Sequence, residues 1–420
     1  MDRKTLSYDA LKSVLGHMEA NKRIQISIAC PSLHKIEKTI PLKIDLLVFV
    51  SDYGVQINNT LYSFGIIREY REGIPPWEIQ SENDHGGLQC DLDEWGFQRP
   101  SYRLTETPGD LCFENELDAD DEGTESDRMR METIIQEQEY RAEDQRAQCS
   151  YADYRLLLYR CRESNVKPAH DCFVQLNLKT GDFQQPSRPV QKVPYTKKLH
   201  EVMKAFMTFI FGGRSCPVQV NRLEIDPFTE FVRLPVGVKF SVHQLRFQSN
   251  LLFSKCLLQV LDESCLPIKH IDMATEDSLN DPLAANAEEV TFHTFHGFDM
   301  DLLNFIRNSP HLKVNCVYND SYYEKEDFIA FLINLFRSDK KIGTTYQLGI
   351  RYNEEIMKSI LSIEDDRMKR GITEDGSLIM QNKDGSKKVR ITYEEDVKQM
   401  HFGRIESYCI LKIEVLESRQ

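Results

Sequence analysis

The apolar positions at the start of the chain follow a helical period. Leu11, Val14, Leu15 and Met18 are spaced i, i+3, i+4 and i+7, so they share one face of a predicted helix. Ser7 precedes them and is the type of residue that caps a helix N-terminus. The pattern therefore predicts a short amphipathic helix whose apolar face needs a surface to pack against.

The segment that follows fits two patterns. Ile24, Ile26 and Ile28 alternate as in a strand, but Ile24, Ser27 and Ile28 also fit one face of a helix. We interpret the segment as a helix that ends before Pro31, because proline interrupts helical hydrogen bonding.

From residue 43 the pattern changes to short strand-like runs, which predict a β-rich domain over 46–190. The strand-like runs are residues 44–50, 53–58, 60–70, 154–161 and 171–178. Residues 114–127 contain eight acidic residues and no basic one. Their mutual repulsion predicts a solvated, disordered insertion at about 104–150. Residues 128–147, which are rich in helix formers, predict an exposed helix.

A helical stripe opens the second half at residues 199–210, and Gly212 and Gly213 follow it as a helix-ending signal. Strand-like and helix-like runs then alternate. Apolar anchors mark successive strands, separated by 22, 26, 21 and 22 residues: Leu223, Leu245, Ile271, Phe292 and Val314. This spacing predicts a leucine-rich-repeat-like α/β stack over 194–420, and a plain α/β sheet is the alternative.

Together these patterns predict an α+β or α/β chain with a small helical module at 6–45, a β-rich domain and a repeat-like domain. The length of 420 residues fits two or three domains, and 41% hydrophobic residues are enough to build their cores. The formal net charge of -14 argues against nucleic acid as the main partner.

The chain has no apolar run long enough for a bilayer helix and no secretory leader, so we expect no membrane association and a cytoplasmic or nuclear location. Its eleven cysteines are scattered and none forms a CxxC pair. In a reducing compartment they are expected to be free thiols that pack as small apolar residues.

The sequence holds no motif that indicates an enzyme, a cofactor or a metal site. His293 and His296 form an HxxH pair, but on a strand that spacing points to opposite faces. The glycines of residues 211–217 suggest either an anion-binding nest around Arg214 or, more simply, the end of a helix. The acidic run 114–127 lacks the order of an EF-hand loop. We therefore expect a non-catalytic protein.

The opening run LSYDALKSVLGHMEANKRIQISIACPSLHKI resembles an F-box, a short helical module. The matching positions are Leu6, Leu11, Val14, Leu15, Met18, Arg23, Ile24, Ser27, Cys30 and Leu33. The chain departs from that pattern at Ser7, where the family carries proline, and at Leu33 or His34, where it carries tryptophan. With YSFGIIREYREGIPP and GGLQCDLDEWGF, the chain resembles the nematode F-box C group.

The resemblance implies an N-terminal domain of unknown function, followed by a leucine-rich-repeat-like C-terminal half, and a role as substrate adaptor of a cullin RING (SCF-type) ubiquitin ligase. It implies that a Skp-type adaptor binds the helical module and that an unknown protein target binds the C-terminal half. The residues that would bind the adaptor are Leu6, Leu11, Val14, Leu15, Met18 and Ile24.

Three alternatives stay open, of which the first, an enzyme, would need a pocket with convergent titratable groups that the sequence alone does not show. The apolar stripe can pack onto the β region of its own chain without any partner. The protein can also be a recognition or scaffold protein whose F-box is vestigial and engages no ligase.

Overall fold

A computed structural model describes the chain in sixteen stretches. They are residues 7–51, 53–99, 106–113, 124–138, 146–181, 187–226, 229–247, 251–273, 281–292, 312–316, 325–337, 340–350, 368–373, 376–382, 388–401 and 404–417. The chain divides into two compact units, Met1–Phe240 and Ser241–Gln420.

The first unit combines helices with a mixed sheet. Its helices are α1 (Tyr8–His17), α2 (Ala20–Ala29), α3 (Pro31–Glu37), α4 (Trp77–Asp84), α5 (Glu125–Gln138), α6 (Arg146–Glu163) and α7 (Leu199–Phe211). Its strands are β1 (Lys43–Val50), β2 (Gly54–Ile57), β3 (Thr60–Tyr70), β4 (Asp91–Leu92), β5 (Gln98–Arg99), β6 (Leu111–Cys112), β7 (His170–Thr180), β8 (Arg188–Pro194), β9 (Val218–Ile225) and β10 (Phe231–Val232).

The main sheet of this unit has the order β9-β1-β2-β3-β7-β8. β1 and β9 run parallel, with Leu47 opposite Leu223, and the other neighbours run antiparallel. β3 and β7 pair along their full length, from Thr60 opposite Thr180 to Tyr70 opposite His170. In β1, the buried Leu47 and Phe49 alternate with the half-buried Leu46, Val48 and Val50, as expected where one face of a strand is better covered than the other.

The helix prediction for the segment after α1 is confirmed by α2, and the prediction of a helix at 199–210 is confirmed by α7. The strand predicted at 154–161 is wrong, because these residues form part of α6. Tyr154, Leu158 and Tyr159 lie on one helical face, where they pack with Ile79 and Phe97. A continuous apolar run fits a buried helix as well as a buried strand.

The exposed helix predicted at 128–147 corresponds to α5 and the start of α6, with 139–145 outside the described residues. Most of the acidic run also lies outside them, at 114–123.

The second unit contains a run of parallel strands followed by an antiparallel group. Its strands are β11 (Phe240–Phe247, which starts at the unit boundary), β12 (His270–Met273), β13 (Glu289–Phe292), β14 (Lys313–Cys316), β15 (Thr345–Ile350), β16 (Met368–Ile372), β17 (Leu378–Asn382), β18 (Lys388–His401) and β19 (Arg404–Leu416). Its helices are α8 (Leu251–Leu258), α9 (Pro282–Asn286) and α10 (Lys325–Arg337).

The sheet order in this unit is β11-β12-β13-β14-β15-β19-β18-β17-β16. The first five strands run parallel to their neighbours, and the rest pair antiparallel. Leu245, Ile271 and Val314 lie in one register with Val290. The predicted anchor Phe292 lies two residues beyond that register, opposite Met273 and Cys316, because the sequence spacing alone does not fix a register.

Helices and large mixed sheets occur together in the chain, so the expectation of an α+β class is confirmed. Residues 299–308, one of the helix-like runs of the second half, lie outside the described residues.

Candidate functional site

The six residues predicted to bind a partner differ in burial. Leu15 and Ile24 are 2% and 3% exposed, so the chain itself covers them. Leu11 and Met18 are half-buried, and Val14 is 45% exposed. Leu6 lies outside the described residues. One edge of the apolar stripe of α1 is therefore buried, and the other edge is exposed to solvent.

Polar contacts tie α2 to the neighbouring strands. The Glu19 carboxylate caps the helix by accepting a hydrogen bond from the Asn21 backbone amide at 2.8 Å. The Asn21 side chain donates to the Ile57 carbonyl at 2.9 Å and accepts from the Tyr62 hydroxyl at 3.0 Å. Because these groups are buried, their hydrogen bonds fix the position of α2 on the sheet.

A buried ion cluster joins α2 and α3 to the segment after α7. The Arg23 guanidinium pairs with Glu37 at 2.8 Å and donates to the carbonyls of Pro41 and Ile40 at 2.7 and 3.0 Å. Arg214 donates to the same Glu37 carboxylate at 3.0 Å. Arg23 and Arg214 share the buried Glu37 carboxylate. Removing any one of these three charges therefore changes the electrostatic compensation of the other two.

The end of α7 packs against α3. The Lys38 ammonium donates to the carbonyls of Phe209 and Ile210 at 2.5 and 2.7 Å. These carbonyls belong to the last turn of α7, where a cation is favoured. Burial lowers the pKa of Lys38 to about 7, and the nearby Arg214 charge acts in the same direction. The His34 ring stacks on Phe209 with 4.2 Å between ring centroids.

Large apolar side chains remain exposed on α1 and α2. Tyr8 is 53% exposed, Val14 45% and Ile28 43%. With the half-buried Leu11 and Met18 they form what we call the exposed apolar set. Such residues on short helices are typical of surfaces that bind another protein.

The sequence prediction of binding residues omitted Tyr8 and Ile28. Tyr8 lies three residues before Leu11, so the helical period extends to it and could have identified it. Ile28 fits the helical period of α2, but its exposure depends on how α2 packs on the sheet.

A second candidate surface is the polar face of the parallel strands in the second unit. One row of neighbouring residues across these strands is Gln244, His270, Glu289, Lys313 and Thr345. The next row on the same face is Arg246, Asp272, Thr291, Asn315 and Gln347. We call these two rows the polar face. Apart from the buried Thr291, its residues are half-buried or exposed.

Cross-strand contacts order the polar face. The Thr291 hydroxyl lies 3.1 Å from a ring nitrogen of His270 and accepts from the Asn315 amide at 3.2 Å. Glu289 lies 3.7 Å from the Lys313 ammonium. The opposite face carries buried residues, so this sheet has one apolar side and one polar side.

Residues 211–217 cover the end of α7 and the segment that follows it. Gly212 ends α7, and its amide donates to the Thr208 carbonyl at 2.9 Å. Gly213 has a positive φ of 67°, which suits a chain turning away from a helix. Arg214 is engaged with Glu37. The helix-ending interpretation is confirmed.

His293 and His296 lie outside the described residues. Within the described stretches, no group of three or more His, Cys, Asp or Glu side chains is arranged to hold a metal ion.

Residues 198–352 match a family model described as a domain of unknown function, DUF3557. The DUF3557 match covers less than half of the chain and runs from the start of α7 past the end of β15. It supports the expectation of a domain of unknown function, but the matched residues lie in the half of the chain that was predicted to be leucine-rich-repeat-like and not N-terminal to it. No curated protein and no solved structure matches the chain.

None of the helices in the described part of the chain has the length and apolar character that a bilayer crossing requires.

Proposed function

We propose that this protein is a non-catalytic substrate-recognition adaptor of a cullin RING ubiquitin ligase of the SCF type. In this proposal α1–α3 are an F-box-like module that binds a Skp-type adaptor. The observation that carries it is the exposed apolar set, since these side chains lie in the segment that resembles an F-box and remain available to a partner.

The proposal gives the polar face the role of target binding. The parallel strands β11–β15 are then a leucine-rich-repeat-like stack, in which neighbouring strands present one row of side chains after another. Charged residues on this face include Arg246, Asp272, Glu289 and Lys313, which suits a polar protein surface rather than an apolar peptide.

The adaptor half of the proposal is tested with Val14→Asp in the full-length chain. Val14 is exposed, so a carboxylate there leaves the fold intact but places a charge in an apolar contact. Val166→Asp is the matched control, because Val166 is a 58% exposed valine outside α1–α3. Affinity purification should recover Skp-type and cullin components with the native chain and the control but not with Val14→Asp. Equal recovery by both variants would contradict the proposal.

The target half is tested by the double charge reversal Arg246→Glu with Lys313→Glu. The control is Lys255→Glu with Lys341→Glu, which makes the same change at exposed positions outside the polar face. Only the first pair should lose the co-purified target, while both should keep the ligase components. Loss of the target in both pairs would show that net charge, not the polar face, governs binding.

A recognition or scaffold protein with a vestigial F-box is the second candidate. It is favoured by Leu15 and Ile24, because the chain buries these two F-box-like positions itself. In that case the native chain should recover a target without ligase components, and Val14→Asp should change nothing.

A further inference from the structure

A cleft of about 500 Å³ opens in the first unit, away from the residues of α1–α3. It is bordered by the turn between β4 and β5, by the start of β7 and by the segment that enters α7. Its volume falls within the range of pockets that hold small organic ligands, which is roughly 300–1,000 Å³. Its chemistry differs from both surfaces used in the proposed function.

Basic side chains line the cleft without carboxylate partners. Within the described residues, Arg71, Lys167, Lys197 and Lys198 line it and form no ion pair. The Lys198 ammonium is instead held by neutral oxygens, those of the Leu92 carbonyl at 2.9 Å and the Tyr195 hydroxyl at 3.3 Å. Its positive charge is thus positioned but not neutralised.

The acidic residues of the cleft compensate this charge only in part. Asp93 pairs with Arg99 at 3.2 Å, and Glu201 accepts from the Lys198 backbone amide at 2.9 Å as part of the α7 N-terminus. Glu94 and Asp171 are the remaining acids of the lining. Glu201, like Lys198, forms no ion pair, so four unpaired cations face three unpaired carboxylates in the described lining, although the whole chain carries a net charge of -14.

His170 adds a buried polar group to the wall. It is only 7% exposed, and its ring nitrogens have no hydrogen-bond partner among the described residues. Its Nε2 side lies next to Gly96, which also lines the cleft; a Cβ placed there would be 3.6 Å from that nitrogen. Burial, together with the charges of Arg68 and Arg71, lowers the pKa of His170 to about 4. The neutral ring can donate one hydrogen bond and accept another.

The neutral imidazole of His170 lines the cleft and is available to hydrogen-bond to a bound molecule. We propose that the cleft binds a small organic anion, whose phosphate or carboxylate group pairs with the lysines and whose body hydrogen-bonds to His170. The proposal does not depend on the ligase role, because none of the residues that carry it belongs to the exposed apolar set or the polar face.

Isothermal titration of the full-length chain tests this with phenyl phosphate, benzoate, inorganic phosphate and uncharged benzamide. At least one of the two aromatic anions should bind at one site, and benzamide should not. Tighter binding of phenyl phosphate identifies a phosphate group as the ligand chemistry, and tighter binding of benzoate identifies a carboxylate. No binding of any anion, or equal binding of benzamide, overturns the proposal.

Variants locate the binding site. Lys167→Ala with Lys197→Ala should weaken binding by about tenfold, since each exposed ion pair contributes modestly. The control Lys35→Ala with Lys43→Ala removes the same charge at exposed positions outside the cleft and should bind like the native chain. An equal loss in both pairs would indicate diffuse attraction and refute the site.

His170 needs a separate test because it is buried. His170→Gln keeps hydrogen-bonding atoms and should retain most of the affinity for the aromatic anion, whereas His170→Phe removes them and should lose it. Affinity that survives in a folded His170→Phe variant would remove His170 from the site. If that variant unfolds, the lysine pairs alone decide the proposal.

Discussion

The buried Arg23 connects α2 to α3 and to the segment that follows α3. Its guanidinium contacts the Glu37 carboxylate and the carbonyls of Pro41 and Ile40. A buried cluster of this kind stabilises a fold only while it is complete, because a charge that loses its partner stays in a medium of low dielectric constant.

We expect Arg23→Ala to lower the free energy of unfolding by about 1 to 3 kcal/mol, because Glu37 and two carbonyls lose a donor while Arg214 still compensates the Glu37 charge. Urea denaturation of the full-length chain measures this. The neighbouring Lys22 is exposed, so Lys22→Ala should stay within about 0.5 kcal/mol of the native chain. A cost for Arg23→Ala as small as that of Lys22→Ala would mean that the cluster is not buried in solution.

His170 should make the stability depend on pH. Its folded pKa of about 4 lies below the ordinary value of 6.5, so the unfolded chain binds more protons between these values. Stability is therefore complete above the ordinary value and falls as the pH drops toward the folded one. Between pH 7 and pH 5 the loss should be about 2 kcal/mol.

Denaturation of the native chain and of His170→Gln at both pH values separates this effect from other groups. The glutamine variant should lose less stability on acidification, by about the same 2 kcal/mol. Identical pH dependence in the two proteins would show that the His170 ring is accessible to water.

At the scale of elements, the C-terminus of α7 depends on a side chain from another part of the chain. Lys38 follows α3 and donates to two carbonyls of the last turn of α7. In Lys38→Met the apolar stem remains but these carbonyls lose a donor. We expect a cost of about 1 to 3 kcal/mol and faster hydrogen exchange at the end of α7.

Lys35→Met is the control for that experiment, because Lys35 is an exposed lysine on α3. It should leave both the stability and the exchange rates of α7 unchanged. Exchange that rises equally in both variants would point to a general loss of α3 rather than to the contact with α7.

Helices with a clear apolar period could be predicted from the sequence, as α1 and α7 illustrate, whereas the segment of α2 fitted two patterns and Pro31 favoured the helix. The strand prediction at 154–161 failed because its apolar run carries no period that excludes a helix. For the exposed apolar set, the sequence identified the helical face but not its covered edge. Leu15 and Ile24 are buried because of packing between elements, which no local pattern records.

The cleft could not be predicted from the sequence for a related reason. Its lining comes from stretches between Arg71 and Glu201 that meet only in the folded unit. His170 stands at the start of an ordinary strand, and nothing in its neighbours in the sequence distinguishes it from a surface histidine.

At the scale of the whole molecule, the reactivity of each cysteine should depend on its surroundings in the folded protein. Eight cysteines in the described residues are thiols that form no disulfide bond: Cys30, Cys90, Cys112, Cys161, Cys172, Cys216, Cys256 and Cys265. A hydrogen bond from Ser32 lowers the pKa of Cys30, whereas burial raises that of Cys172 to about 11. Because the thiolate is the reactive form, Cys30 should be alkylated first in the native protein.

Mass spectrometry after brief alkylation measures the order of labelling. Cys30 should be modified well before Cys172, and denaturation should remove the difference. Bound Skp-type adaptor should slow the labelling of Cys30 if the proposed docking site is correct, because Cys30 joins α2 to α3. Equal labelling of both thiols in the native chain would contradict the burial of Cys172.

The carboxylate shared by Arg23 and Arg214 makes the N-terminal helices unsuitable for excision. An expression fragment that ends after α3 would carry Glu37 without Arg214. A truncation that starts at β1 would leave Arg214 in place with no carboxylate beside it. Loss of partner binding in either fragment would therefore reflect damage to the fold. Grafting this module onto another protein would require transferring the segment after α7 as well.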